Sequence, residues 1–493
     1  MPSNRVVRVR TTQDGVAATL LREGIEAVRE ELGVTPDFPP EVEEAAARAA
    51  AAPRLPDLDR TDLPFVTIDP EGSMDLDQAL HIERAADRGA ADGYVVHYAI
   101  ADVHAFITPG DPVDEESRRR GETLYGADSK IPLHPKVISE DAGSLLPDQV
   151  RPALLWTIRV DADGEGTDVH VERALVRSRR RLTYAEAQAA IDDGTADEVL
   201  VLLSEVGRLR MAREAARGGV SLPLPEQEID IDGDHWRLEL RRQLPVEEWN
   251  AQISLLTGMA AASLMVYARV GLLRTLPPPD PRDVQRLHRT ARALGIEWPA
   301  EQLYPDFIRS LDPEQPRHAA MVVACTRLLR GSGYAAFDGE VPAQPLHAAL
   351  AAEYAHVTAP LRRLGDRYAG EVCLALCAGT EVPGWVRERL PELPAVLQTS
   401  GQRAGRYQRA VVDLVEAGVL APRVGEVFAG VVVDVDDDDP RTGDVTVDAV
   451  AVEARVTATS DLPLGTDVRV RLVTADVASR RVAFELVEDA AQE

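Results

Sequence analysis

The period of the apolar residues changes along this chain, and the change limits the folds open to it. Residues 16 to 33 set Val16, Leu20, Leu21, Ile25, Val28 and Leu32 at helical spacing and stop at Gly33, as a capped amphipathic helix does. After the break Asp37-Phe38-Pro39-Pro40, an Ala- and Glu-rich stretch predicts a second helix that ends before Pro53. From Leu63 the runs P-F-V-T-I-D, A-L-H-I-E, Y-V-V-H-Y-A-I-A and A-L-L-W-T-I-R-V read as strands, parted by Gly, Pro and Asp. Residues 183–216 and 246–335 are Ala/Leu/Arg stretches expected to be helical, with Pro277-Pro278-Pro279 as a turn. From Val424 five short alternating runs follow, enough for a small barrel. The expected class is α+β, divided into a helical segment (1–60), a catalytic body (61–380), a helical connector (381–423) and a terminal barrel (424–493).

Composition narrows the setting. A chain of 493 residues with 45% hydrophobic content can fill several cores. It opens without an apolar leader and has no run of about 18 uncharged apolar residues, so a cytoplasmic protein with no membrane span is expected. Its three cysteines, Cys325, Cys373 and Cys377, lack the pairing of a disulfide framework or a zinc site. A net charge of -28 opposes polyanion binding when averaged, but the basic residues gather locally. Nearly all are Arg, in runs such as 118–120, 179–181 and 362–363, and Lys occurs only at 130 and 136.

The most chemically suggestive segment is F-V-T-I-D-P-E-G-S-M-D-L-D-Q-A, residues 65 to 79. Asp69 ends an apolar strand, Pro70 to Ser73 form a turn, and Asp75 and Asp77 stand two apart, on one face of an extended chain. Converging carboxylates call for a cation, and hard oxygen ligands select Mg2+ or Mn2+, which can bridge a substrate phosphate. On spacing alone, an acidic surface turn or a calcium loop is the simpler reading.

Context changes the weighting. The segment resembles the signature of the ribonuclease II (RNB) family, a T-I-D strand followed by a short loop and a D-x-D-D-A run. A-I-A-D-V at 99–103, Pro109-Gly110, Arg120-Gly121, Tyr125, I-P-L at 131–133, L-L-P at 145–147 and S-R-R-R-L-T-Y at 178–184 follow in the family's order. Y-A-H-V-T-A-P-L-R-R at 354–363 is similar to the family's Y-x-x-x-T-S-P-I-R-R. The terminal barrel resembles the OB-fold RNA-binding domain repeated in ribosomal protein S-one, although stacking aromatics are nearly absent and Asp436 to Asp439 make a poor RNA loop.

The resemblance implies a Mg2+-dependent exonuclease, with Mn2+ as a substitute, that hydrolyses single-stranded RNA from its 3′ end to 5′-mononucleotides. It implies that Asp69, Asp75 and Asp77 hold the metal and position water, with Gln78 at the fourth ligand position. Arg362 is then the catalytic arginine, whose planar fork neutralises charge on the phosphoryl oxygens. Tyr125 is expected to stack on a base, unless it serves a core. Glu247, in V-E-E-W-N, touches RNA or is a solvated helix face, and Arg120 and Arg363 are expected RNA contacts. His347 and His356 are expected to be structural. The departures are Gln78 for an acid, Asn250 for Met, Ala359 for Ser and Gly370-Glu371 for His-Arg. They keep open an alternative, a catalytically weak RNB protein that binds RNA as a regulator. Helices stand where the family commonly has cold-shock domains, implying a more open RNA entrance. A monomer without known protein partners is expected.

Overall fold

The computed structural model describes residues 9–10, 16–85, 93–127, 129–222, 226–232, 235–312 and 314–487. Strands β1 (Phe65–Asp69), β2 (Gln78–Arg84), β3 (Tyr94–Ala101), β4 (Val150–Val160) and β5 (Gly166–Thr183) form a closed barrel. Neighbours run antiparallel up to the closure, where β1 lies parallel to the end of β5, with Asp69 opposite Thr183. Strand alternation sorts the barrel into two buried layers. Val66, Ile68, Leu80, Ile82, Val96 and Tyr98 enter one, and Phe65, Ala79, Ala99 and Ala101 enter the other. Covering both faces explains why these strands read as nearly continuous apolar runs.

Helices flank this barrel. The expected first helix is α1 (Val16–Leu32), ended by Gly33 at φ 62°, and the second is α2 (Pro40–Ala51). They do not pack as one appendage. Leu21, Ile25 and Val28 of α1 join Leu414 and Val415 of the long helix α6 (Leu393–Leu420), whereas Val42 and Ala46 of α2 join Phe106 and Ile138.

Helices α3 (Glu198–Ala216), α4 (Pro245–Ala268) and α5 (Leu364–Ala378) pack in series beside the barrel. By length and composition α4 is apolar enough to cross a membrane, but Ile253, Leu256, Ala261 and Met265 lie in the main core. Its all-round apolarity is that of a core helix. The expectation of helical stretches over 246–335, broken only by the Pro277–Pro279 turn, is corrected: Val270–Thr275 is a strand, antiparallel to Gly333–Asp338. A short apolar run carries no period that separates strand from helix, and Arg269, left-handed at φ 59°, ends α4 just before it.

The terminal barrel comprises β6 (Val427–Val435), β7 (Thr442–Val447), β8 (Val452–Thr457), β9 (Asp467–Asp476) and β10 (Arg481–Leu486). They close in the order β6-β7-β8-β10-β9, with β8 and β10 parallel, around Phe428, Val447, Val456, Leu472 and Phe484. This is an OB-fold barrel. Its outer face is also used, since Val433 packs with Leu287 and Met321. Two of its acidic residues, Asp434 and Asp437, pair with Arg327 and Arg286.

Candidate active site

Asp69 ends β1, opposite the last residue of β5, Thr183. The chain then turns, Ser73 N–H donating to the Pro70 carbonyl (3.2 Å) and Gly72 taking φ 78°, a conformation that favours glycine. The next residues are pinned. Leu76 N–H donates to Ser144 Oγ (2.9 Å), and that hydroxyl donates to the Met74 carbonyl (2.6 Å). With Leu76 buried, Asp75 and Asp77 project to the other side.

Asp77 is where the two distant motifs meet. Its Oδ1 accepts the Leu361 N–H (2.8 Å), and Arg362 Nε stands 3.4 Å from its Oδ2. The 358–363 loop is braced from behind by Asp366 in the first turn of α5. Asp366 accepts the Ala359 N–H (2.7 Å) and two bonds from Arg363 (3.0 and 2.7 Å). Arg362 is left presenting its guanidinium beside Tyr125, a residue 39% exposed. Burial opposes the Arg362 charge, but Tyr125, Asp77 and Asp75 outweigh it and keep the group protonated.

The carboxylates are short of counter-charge. Burial raises Asp69 to about 7 against the pull of Arg362, and raises Asp77 to about 8 against Arg362 and the Leu361 bond. Asp69 Oδ2 is buried without a hydrogen-bond partner. Such a donor set suits a hard divalent cation. The expected convergence of all three acids is not preformed, however. Asp75 turns to Lys130, whose Nζ lies 2.7 Å from Asp75 Oδ1 and 3.0 Å from Glu140 Oε1. Among the described residues, no three His, Cys, Asp or Glu side chains are gathered closely enough to hold an ion.

Four expected site residues have other work. Gln78 is the first residue of β2, directly after Asp77. Its Nε2 donates to the Thr358 carbonyl (2.7 Å), and its Oε1 accepts from Tyr98 Oη (2.6 Å), so the amide is engaged in a buried network rather than facing a cation. Arg120 is buried, donating to Glu116 (2.7 Å) and to the Pro132 and Asp37 carbonyls (2.9 and 2.6 Å), with its guanidinium 3.7 Å over the Phe38 ring. Arg363 is spent on Asp366. Glu247 caps α4, accepting the Leu244 N–H (3.1 Å) and a bond from Arg241 Nη2 (3.0 Å). These three charges are engaged within the fold.

The histidines fall as expected. His356 Nδ1 is 2.8 Å from Tyr334 Oη, and His347 packs edge-on to Tyr354. Glu371, where the resemblance leads one to expect a basic residue, meets a partner of opposite sign. It pairs with Arg173, which also donates to Asp102 (2.8 Å). The residues that sequence reasoning missed are Lys130 and Glu140. The available signal was that Lys130 is one of two lysines in an arginine-rich chain.

Comparison with known proteins decides the family, since the RNB domain matches residues 58–375. The chain belongs to the RNB family. The RNase II-type exonuclease C-terminal S1 domain matches residues 426–487 of this RNB protein, the span of its terminal barrel. Ribonuclease R of Escherichia coli is 28% identical over 400 residues, covering 76% of this chain and 48% of that one. The exosome complex exonuclease RRP44 homolog A of Arabidopsis thaliana is 28% identical over 367 residues, 72% of this chain and 39% of its own. The RNB protein therefore spans less than half the length of these curated relatives. Among solved structures, Mycoplasma genitalium RNase R in complex with ribose-methylated single-stranded RNA superposes with a TM-score of 0.82 at 18% identity, covering 95% of this chain and 78% of that one. Yeast Ssd1, a pseudonuclease, gives 0.71 at 14% identity, covering 95% and 58%. At these identities the likeness establishes the shared fold.

Proposed function

We propose that this RNB protein is a 3′-to-5′ exoribonuclease, dependent on Mg2+ with Mn2+ as a substitute, that hydrolyses single-stranded RNA to 5′-mononucleotides. The joint between Asp77 and the 358–363 loop carries the reading, because it puts buried carboxylates, a charged guanidinium and an exposed aromatic ring at one place. A divalent cation held by Asp69 and Asp77, with Asp75 joining them, would neutralise phosphate charge and activate water. Arg362 offers its fork to the phosphoryl oxygens, and Asp366 with Arg363 fixes the loop that aims it. Tyr125 offers a ring face on which a base of any sequence can stack.

A 5′-labelled RNA oligomer incubated with Mg2+, with Mn2+ and with EDTA tests this. Stepwise shortening from the 3′ end with either metal and none in EDTA is expected. Bound RNA that is not shortened with either metal would establish a second reading, an RNB protein that binds RNA without turnover. Lys130 favours that reading, since its ammonium lowers the negative charge available to an ion.

A further inference from the structure

The chain has 54 basic residues, yet only Lys130 and Lys136 are lysine. Lys130 sits on the two-residue strand Lys130–Ile131, paired with Leu124–Tyr125, so that it is the cross-strand partner of Tyr125. Its ammonium lies between Asp75 on the acidic turn and Glu140 on the single π-helical turn Val137–Ala142. All three side chains are largely covered, at 22%, 15% and 21% exposure. An ammonium is a compact point charge with rotatable donors, and it can exchange one oxygen for another where a planar guanidinium would be locked in place. Asp69 and Asp77 lie in the same cluster, and Arg362 makes its close contact with Asp77 while Lys130 makes its own with Asp75.

Two cations cannot share Asp75 cheaply. A divalent ion drawn to Asp69 and Asp77 would meet the ammonium as a like charge, and Glu140 gives that ammonium a second anchor when Asp75 turns away. We propose that Lys130 is a resident counter-cation of the acidic cluster: it neutralises Asp75 when no metal is bound, withdraws onto Glu140 when an ion arrives, and so sets how tightly the cluster holds that ion. This rests on the metal-dependent reading above. Lys130 is a positioning residue, acting through Asp75, and Glu140 sets its balance.

Mn2+ titration of the RNA-free full chain by calorimetry, beside thermal melts in EDTA and in Mn2+, tests it. Lys130→Met should bind Mn2+ at least ~10-fold more tightly than wild type, because a competing charge is gone. It should also melt lower in EDTA and gain more from Mn2+. Glu140→Gln should bind more weakly, because the ammonium is left wholly to Asp75. An ion pair that only stabilises the fold moves both variants the same way. Wild-type binding with no gain in a folded Lys130→Met overturns the inference and spares the metal reading, as does a Glu140→Gln protein that binds as tightly as wild type. Binding by neither wild type nor Lys130→Met overturns both, and binding by Lys130→Met alone supports the inference while removing the metal reading for the wild-type chain.

Discussion

The backbone N–H of Leu361 donates to Oδ1 of Asp77 at 2.8 Å, across 284 positions of sequence. Arg362, the next residue, stands 3.4 Å from Oδ2 of the same carboxylate. One side chain thereby fixes the register between the acidic turn and the arginine loop, and also contributes charge to the cluster. Those two tasks can be separated.

Asp77→Asn retains an oxygen that can accept the Leu361 N–H but removes the charge. Single-turnover cleavage should fall at least ~100-fold, about 2.7 kcal/mol of transition-state stabilisation, with RNA affinity retained. A melt near that of wild type should accompany the loss. Wild-type cleavage by this variant would remove Asp77 from the site.

Gln78→Asp tests whether a missing acid has simply been lost. The shorter side chain reaches neither Thr358 nor Tyr98 as the amide does, and it places a carboxylate in a buried network. Lower stability and no gain in metal affinity are expected from melts and Mn2+ titration. Tighter binding at unchanged stability would contradict this placement.

Arg120→Ala and Glu247→Gln address residues that carry fold rather than RNA. Arg120→Ala strips a buried ion pair and two carbonyl bonds, a loss of about 3–5 kcal/mol by analogy with other broken buried pairs. Glu247→Gln weakens a helix cap, costing about 1 kcal/mol. RNA affinity of the folded fraction, measured by titration at low temperature, should be unchanged in both. A salt-dependent loss of affinity without a stability loss would restore them to the RNA path.

His134 makes stability depend on pH. It is buried, with Nε2 3.3 Å from the Pro360 carbonyl, and burial with the charge of Arg367 lowers it to about 3. Between about 3 and about 6.5 the unfolded chain binds a proton there that the folded chain refuses, so stability is full above about 6.5 and falls as pH drops. At pH 5 the loss from this group is about 2 kcal/mol. His104 and His347, both lowered to about 4 chiefly by burial, act in the same direction. Denaturant midpoints at neutral pH and pH 5 should shift less in His134→Gln than in wild type. Equal shifts would assign the acid sensitivity elsewhere.

The strand end at Asp69 was legible in the apolar run before it, whereas the turn of Asp75 to Lys130 was not, because nothing in the spacing shows the lysine. The arginine loop was legible through family resemblance and not through physics, since nothing in T-A-P-L-R-R announces a partner near residue 77. Arg120, Arg363 and Glu247 each meet a partner of opposite charge in the fold. Glu116 lies four residues before Arg120 and Asp366 three after Arg363, close enough to read as pairs, whereas the Pro132 and Asp37 carbonyls that Arg120 also meets become neighbours only in the fold. The Gln78 amide is taken up by the Thr358 carbonyl and Tyr98, neither of which its own segment displays. The strand Val270–Thr275 was hidden by flanking helices, and the separate docking of α1 and α2 was invisible in their own periodicity.

The closure of the first barrel has a consequence for the order of synthesis. β1 has no closing neighbour until residues 178–183 exist, and Leu361 and Arg362 are translated later still. A chain emerging from the ribosome therefore displays its acidic turn long before the guanidinium that completes the centre. The joint between Asp77 and the 358–363 loop therefore forms only once the later residues have emerged and docked.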